Sequence, residues 1–275
     1  MIQVKNITFS YPGTRKNVFS DFSLSLNENN IYGLLGKNGT GKSTLLYLIS
    51  GLLHAKTGTV AVDGVDSKDR NPNILKDIFL VPEEFELPNV TLDAYVKMMA
   101  PFYPNFSQDT LEGCLKDFEL PHFHRLNELS MGQKKKVFMS FALASGTRLL
   151  LMDEPTNGLD IPSKTQFRKV IANNMTDDRI LVISTHQVHD IESLLDHILI
   201  LSESRMLLNA STADICEKYT FEYRNPQEMD DTVIYAEPSL QGNAVIAKRN
   251  EADSETQINL ELLFNAVVEG KINEL

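Results

Sequence analysis

The chain is poor in cysteine. Cys114 and Cys216 stand far apart and match no metal-ligand spacing, which favours two buried or half-buried thiols over a disulfide or a zinc site and fits a reducing cytoplasm. It is also short of positive charge: 26 Lys and Arg against 37 Asp and Glu leave a formal charge of -11. Such a surface repels phosphate backbones, which Lys and Arg must neutralise, so no nucleic-acid partner is expected. Long apolar runs are missing as well. Residues 137–144 and 149–152 fall far short of the roughly 20 residues that a spanning helix needs. The opening MIQVKNITFSY alternates apolar and polar residues and lacks the charged start and apolar core of an export signal. Any membrane role is therefore expected to come through a partner.

What is present suffices for a sizeable core, since 42% of the 275 residues are hydrophobic. Residues 2–9 and 21–26 alternate like strands around a Tyr11-Pro12-Gly13 turn, which predicts an antiparallel sheet. From Asn30 the pattern becomes an apolar strand (31–35), a glycine-rich loop and a helix over 42–49 that stops at Gly51. Strands are expected at 59–63 and 78–81, with helices between 92 and 120. The apolar runs 149–152 and 180–184 flank a helical stretch at 163–173, and this alternation argues for a parallel α/β sheet. A strand at 198–201 leads into a polar connection. Beyond about Cys216, strands at 219–223, 233–236 and 244–247 and a helix at 260–268 make a small α+β appendage. No repeat or low-complexity tract occurs.

Gly36-Lys37-Asn38-Gly39-Thr40-Gly41-Lys42-Ser43 fits G-x-x-x-x-G-K-[ST] between an expected strand and helix. The glycines let backbone N–H groups converge on an anion, and the helix aims its positive end at it. Lys42 adds a charge for β and γ phosphates, while the Ser43 hydroxyl is a ligand for Mg²⁺. The apolar run 149–152 ends in Asp153 and Glu154. At the carboxyl end of a parallel strand, Asp153 is placed to hold Mg²⁺, and Glu154, pointing the other way along the pleat, to act on water as a general base. The next apolar run ends in His186, which suits a contact with the γ-phosphate or the attacking water. His122 and His124 form a His-x-His without other ligands at metal spacing, so a loop reading is preferred to a metal one. Ser130 is a candidate N-cap for a helix over 134–144 and Gly132 allows close backbone approach. This start reads either as a plain capped helix or as a second anion site lent to a partner's nucleotide.

With these motifs in this order, residues 1–210 strongly resemble the ABC ATPases. Gly36 to Ser43, followed by Thr44, resembles their Walker A loop, Leu129-Ser130-Met131-Gly132-Gln133 their signature, and 149–154 their Walker B strand. Asn157-Gly158-Leu159-Asp160 is similar to the D-loop, and His186 to the switch histidine. The resemblance implies a RecA-like P-loop core (1–212) with an antiparallel β subdomain and a helical signature subdomain (about 88–147), followed by the appendage (213–275). It implies ATP and Mg²⁺ as cofactors, a Tyr11 that stacks on adenine, and a head-to-tail homodimer or heterodimer. In that dimer, Ser130, Gly132, Gln133 and Asp160 complete the partner's site.

Two positions depart from the family pattern. Met131 replaces the commonest glycine, and Glu83 stands where a glutamine usually contacts Mg²⁺ and water. A carboxylate is still a hard oxygen ligand but adds negative charge beside the γ-phosphate, so hydrolysis weaker or more dependent on Mg²⁺ than with Gln is expected. By resemblance, 91–106 receives a coupling helix of an integral membrane permease. The ending Leu260-Glu261-Leu262-Leu263-Phe264 is similar to ATPases of ABC-2 type exporters. The expectation is a transport ATPase, cytoplasmic and peripheral on the inner face of the membrane, that drives export. The alternative is a soluble ABC ATPase of iron–sulfur cluster assembly. No long coiled coil or second cassette points to DNA repair or ribosomes.

Overall fold

The computed structural model describes residues 1–27, 30–121, 125–240, 242–250 and 254–272; His122 and His124 lie outside them. The chain runs β1 (Ile2–Phe9), β2 (Phe19–Leu26), β3 (Ile31–Leu35), α1 (Lys42–Ile49), β4 (Thr57–Val62), β5 (Val65–Asp66), α2 (Pro72–Leu75), β6 (Ile78–Val81), α3 (Leu92–Met99) and α4 (Gln108–Asp117). It continues with α5 (Met131–Ala144), β7 (Leu149–Asp153), α6 (Ile161–Asn174), β8 (Ile180–Thr185), β9 (His197–Ser202) and β10 (Arg205–Ser211). The last elements are α7 (Thr212–Lys218), β11 (Tyr219–Arg224), β12 (Val233–Ser239), β13 (Gly242–Lys248) and α8 (Leu260–Val268).

Among the described residues three sheets form. The antiparallel sheet expected at the N-terminus has the order β2-β1-β4-β5, and a second sheet has the order β10-β9-β3-β8-β7-β6. In the latter, β9, β3, β8, β7 and β6 are mutually parallel and β10 closes the edge antiparallel to β9. The third sheet, β11-β13-β12, is antiparallel.

Every residue of β3, β7 and β8 is buried, because a parallel sheet is covered on both faces. Alternate side chains serve opposite cores. Leu34, Leu149, Leu151, Leu199 and Leu201 point toward α1 and the N-terminal sheet. Leu35, Leu150, Met152, Ile198 and Ile200 point toward α5, α6 and α8. The second core is continuous from Ile31 to Ile272 and takes in Ile246 of β13 and Leu260, Leu263 and Ala266 of α8. The C-terminal strands and helix thus pack into the same core as the phosphate-loop strand.

Several expectations need correction. β2 begins at Phe19, not at 21, because Phe19 pairs with Phe9 and is fully buried; the left-handed backbone of Asp21 (φ 53°) then carries the strand past an irregular register. The polar connection after β9 is instead strand β10 and helix α7. A two-residue turn at Glu203 (φ 43°) and Ser204 (φ 65°) folds β10 back on β9, in the conformation a tight hairpin requires. Helix α5 starts at Met131, three residues before the expected start, since Ser130 caps it.

Candidate functional site

The phosphate loop leaves the carboxyl end of β3, at the centre of the sheet, and enters α1 at Lys42. Gly41 precedes the helix with φ 105° and no side chain caps it. The first N–H groups of α1 therefore stay available to an anion. Glycine is required at Gly36 by contact: a Cβ there would lie 2.6 Å from the Leu201 carbonyl oxygen. The Thr40 hydroxyl donates to the Lys37 carbonyl (2.9 Å), bracing the loop. Lys42 is 6% exposed and curls back to donate to the carbonyls of Gly36 (2.8 Å) and Lys37 (3.4 Å). Burial pulls its pKa down, against the opposing pull of Glu154, Asp153 and Glu83.

Strand β8 lies between β3 and β7, and its register sets Thr185 beside Leu35 and Ser184 beside Asp153. Asp153 is buried and accepts hydrogen bonds from Ser184 Oγ and Ser43. Its pKa is raised, chiefly by burial, with the two serines working the other way. At Glu154 the strand has ended and the backbone turns left-handed (φ 46°). The pleat argument for its direction is thus replaced by a turn, and a non-glycine residue there costs on the order of 1 kcal/mol or more. The turn brings its carboxylate to Thr185 Oγ1 (3.0 Å), His186 Nδ1 (2.8 Å) and Lys42 Nζ (3.9 Å).

Lys42, Ser43, Glu154 and His186 line a cleft of about 550 Å³ together with Tyr11, Thr44, Glu83 and Asn157, and Asp153 is buried behind Ser43, to which it is hydrogen-bonded. The Tyr11 hydroxyl is 3.0 Å from Thr44 Oγ1 and the ring stands edge-on to Phe9. Its 38% exposure leaves aromatic surface open at the cleft mouth. Glu83 Oε1 accepts from Asn157 Nδ2 at 2.8 Å. Asp153, Glu154 and Glu83 thus outnumber the two ammoniums, of Lys42 and Lys135, on which they act. Hard oxygens in negative excess suit a divalent cation such as Mg²⁺.

The remaining expected residues lie elsewhere. Ser130 and Gln133 form a capping box: Gln133 N–H donates to Ser130 Oγ (3.3 Å) and Ser130 N–H to Gln133 Oε1 (3.0 Å). Within this chain, that supports the plain capped-helix reading. A Cβ added at Gly132 would lie 3.7 Å from Leu159, its nearest neighbour. Asp160 caps α6 by accepting from Ser163 N–H (2.9 Å), and the Ser163 hydroxyl, followed by that N–H, lowers its pKa. Ser130, Gly132, Gln133 and Asp160 do not line the cleft. Two residues of the neighbourhood escaped the sequence reading of the site. Asn157 was seen only as part of the D-loop pattern. Lys135 is hidden in the run Lys134-Lys135-Lys136, where nothing in the spacing marks the one that turns inward.

The sequence profile of the ABC transporter family matches residues 19–157. The ABC transporter ATP-binding protein YtrB of Bacillus subtilis is 28% identical over 80% of this chain and 75% of its own length. An uncharacterised ABC transporter ATP-binding protein of Methanocaldococcus jannaschii is 28% identical over 96% of this chain and 97% of its own. A dimeric bacterial ABC transporter cassette superposes with a TM-score of 0.67 at 25% identity, covering 77% of this chain and 98% of that one. A phosphate loop, a doubly acidic strand end and a histidine strand end gathered in one cleft, in a chain with these relatives, place it in the ABC transporter family as an ATP-binding, ATP-hydrolysing subunit.

Proposed function

We propose that the chain acts in head-to-tail pairs, as a homodimer or beside a second ABC ATPase, and energises a separate integral membrane permease that exports its substrate. The observation that carries the pairing is that the signature lies off the cleft. Met131 of the signature and Ile161, next to Asp160, are 56% and 83% exposed. Large apolar side chains left bare beside both the signature and the capped turn favour a surface that meets another chain. A dimeric solved cassette, and another of that cassette bound to ADP and Pi, support the same arrangement.

In the paired site Lys42 and the N–H groups of α1 bind the phosphates, and the Tyr11 ring stacks on adenine. Ser43, Asp153 and Glu83 would hold Mg²⁺, which supplies charge neutralisation at the β and γ oxygens. Glu154 receives the proton of the attacking water. His186 gives Nδ1 to Glu154, which fixes the ring and leaves Nε2 for the γ-phosphate. Ser130, Gly132 and Gln133 of one copy close over the nucleotide of the other.

No helix among the described residues is long and apolar enough to cross a membrane, so attachment to the inner face is assigned to the permease. Met98 and Phe102, 51% and 64% exposed on and just after α3, offer apolar contact for its coupling helix. Relatives are named both for import, as the methionine importer of Carboxydothermus hydrogenoformans, and for lantibiotic transport, as in Streptococcus pyogenes. The export reading leans on the α8 sequence. The test is an affinity pull-down of the Glu154→Gln variant with ATP from detergent-solubilised cells. Recovery of one polytopic membrane protein is expected; recovery of soluble assembly factors alone would move the chain to iron–sulfur cluster assembly.

A further inference from the structure

Three consecutive lysines open α5, and they part ways. Lys136 donates to Gln166 Oε1 (2.8 Å) and the Phe118 carbonyl (3.3 Å) at the helix flank. Lys135 turns inward and is 5% exposed. Its ammonium donates to the Asn157 carbonyl (2.8 Å) and the Glu154 carbonyl (3.3 Å), the turn that aims Glu154 at the cleft. Among the described residues it has no carboxylate at ion-pair distance. Asn157 bridges the gap: its carbonyl accepts from Lys135 while its amide donates to Glu83 Oε1 at 2.8 Å.

A buried ammonium held only by neutral carbonyls is costly unless a charge nearby compensates it. Glu83 is that charge. Burial lowers the Lys135 pKa, and among the groups that oppose the fall Glu83 contributes most. We propose that Lys135 is a positioning residue of the hydrolytic site, the counter-cation of Glu83 across Asn157, which ties the signature helix to both the Glu83 segment and the Glu154 turn. The carboxylate at 83, which burdens the site with negative charge, is thereby balanced from within the chain. The same link makes α5 sensitive to whatever engages Glu83.

The inference rests on Glu83 standing in the nucleotide site but not on a permease, and its test uses the full chain without one. Four proteins are compared: the parent, Lys135→Gln, Glu83→Gln and the double variant. Gln keeps a donor at 135, on a side chain one bond shorter, and removes the charge. The urea midpoint is read in EDTA without nucleotide, alongside kcat and KM for ATP with Mg²⁺. Lys135→Gln is expected to lower the midpoint and to reduce kcat about tenfold with KM changed less than about twofold. In the Glu83→Gln background the same change should leave the midpoint of that variant in place and change its kcat by less than about twofold. Equal losses in both backgrounds would overturn the pairing and leave Lys135 a clamp on two carbonyls. If Lys135→Gln alone does not fold, folded double variant supports the proposal, and an unfolded double variant overturns it.

Discussion

His189 Nε2 lies 2.8 Å from Glu261 Oε2, fastening α8 to the turn that follows the switch strand. A small cavity beside this contact is lined by Gly36, Lys37, His186, Val188 and Phe264, so the last helix stands directly behind the phosphate loop and the switch histidine. Both members of the pair are exposed, 65% and 60%, and pairs of that kind contribute little in water. Glu261→Gln should therefore lower the unfolding free energy by no more than about 0.5 kcal/mol. Leu263→Ala, which empties a fully buried position of α8, should cost about 2–5 kcal/mol. Similar losses from the two changes would show that the helix is held by charge and not by packing.

Burial raises the Asp153 pKa above the usual carboxylate range, so the free protein is strained by keeping this group ionised. A carboxyl whose folded pKa is raised gives its stabilisation at low pH and loses it as pH climbs through the folded value. Asp153→Asn should therefore raise the melting temperature of the nucleotide-free protein at neutral pH. That gain should fade as the pH falls and the parent carboxyl takes up its proton. Hydrolysis supported by Mg²⁺ should be lost at every pH. A variant less stable than the parent at neutral pH would mean that the serine hydrogen bonds outweigh burial.

Arg179 is 5% exposed and donates to three carbonyls: Thr147 (3.1 Å), Asn174 (2.9 Å) and Leu143 (3.3 Å). It stitches the ends of α5 and α6 to the start of β8, on the side of the sheet remote from the cleft. Lysine cannot reproduce a planar fork. Arg179→Lys should cost about 2–4 kcal/mol in urea unfolding through carbonyls left unpaired, with KM for ATP unchanged. An altered KM with intact stability would contradict this purely architectural role.

The central strand, loop and helix were legible in the sequence because the chemistry is local. The bounds of β3, α1, β6 and α8 fall where the apolar periods and glycines predicted them. The expected parallel sheet and N-terminal antiparallel sheet also formed. β10 was not legible, since a Glu203-Ser204 turn bears no glycine or asparagine to announce it and Arg205–Ser211 alternates only weakly. Lys42, Ser43, Glu154, His186 and Tyr11 line one cleft, with Asp153 buried behind Ser43. The direction of Glu154 did not come from strand pleat but from a left-handed turn. Lys135 was invisible, because the inward turn of one lysine among three depends on which surfaces α5 covers, and that is decided by tertiary packing.

The continuous core from Ile31 to Ile272 bears on how the molecule comes apart. β3 and α8 share neighbours, so heat cannot release the C-terminal strands and helix while leaving the nucleotide cleft intact. A calorimetric scan should record one cooperative transition, and a nucleotide that tightens the cleft will hold the far end of the chain in place with it.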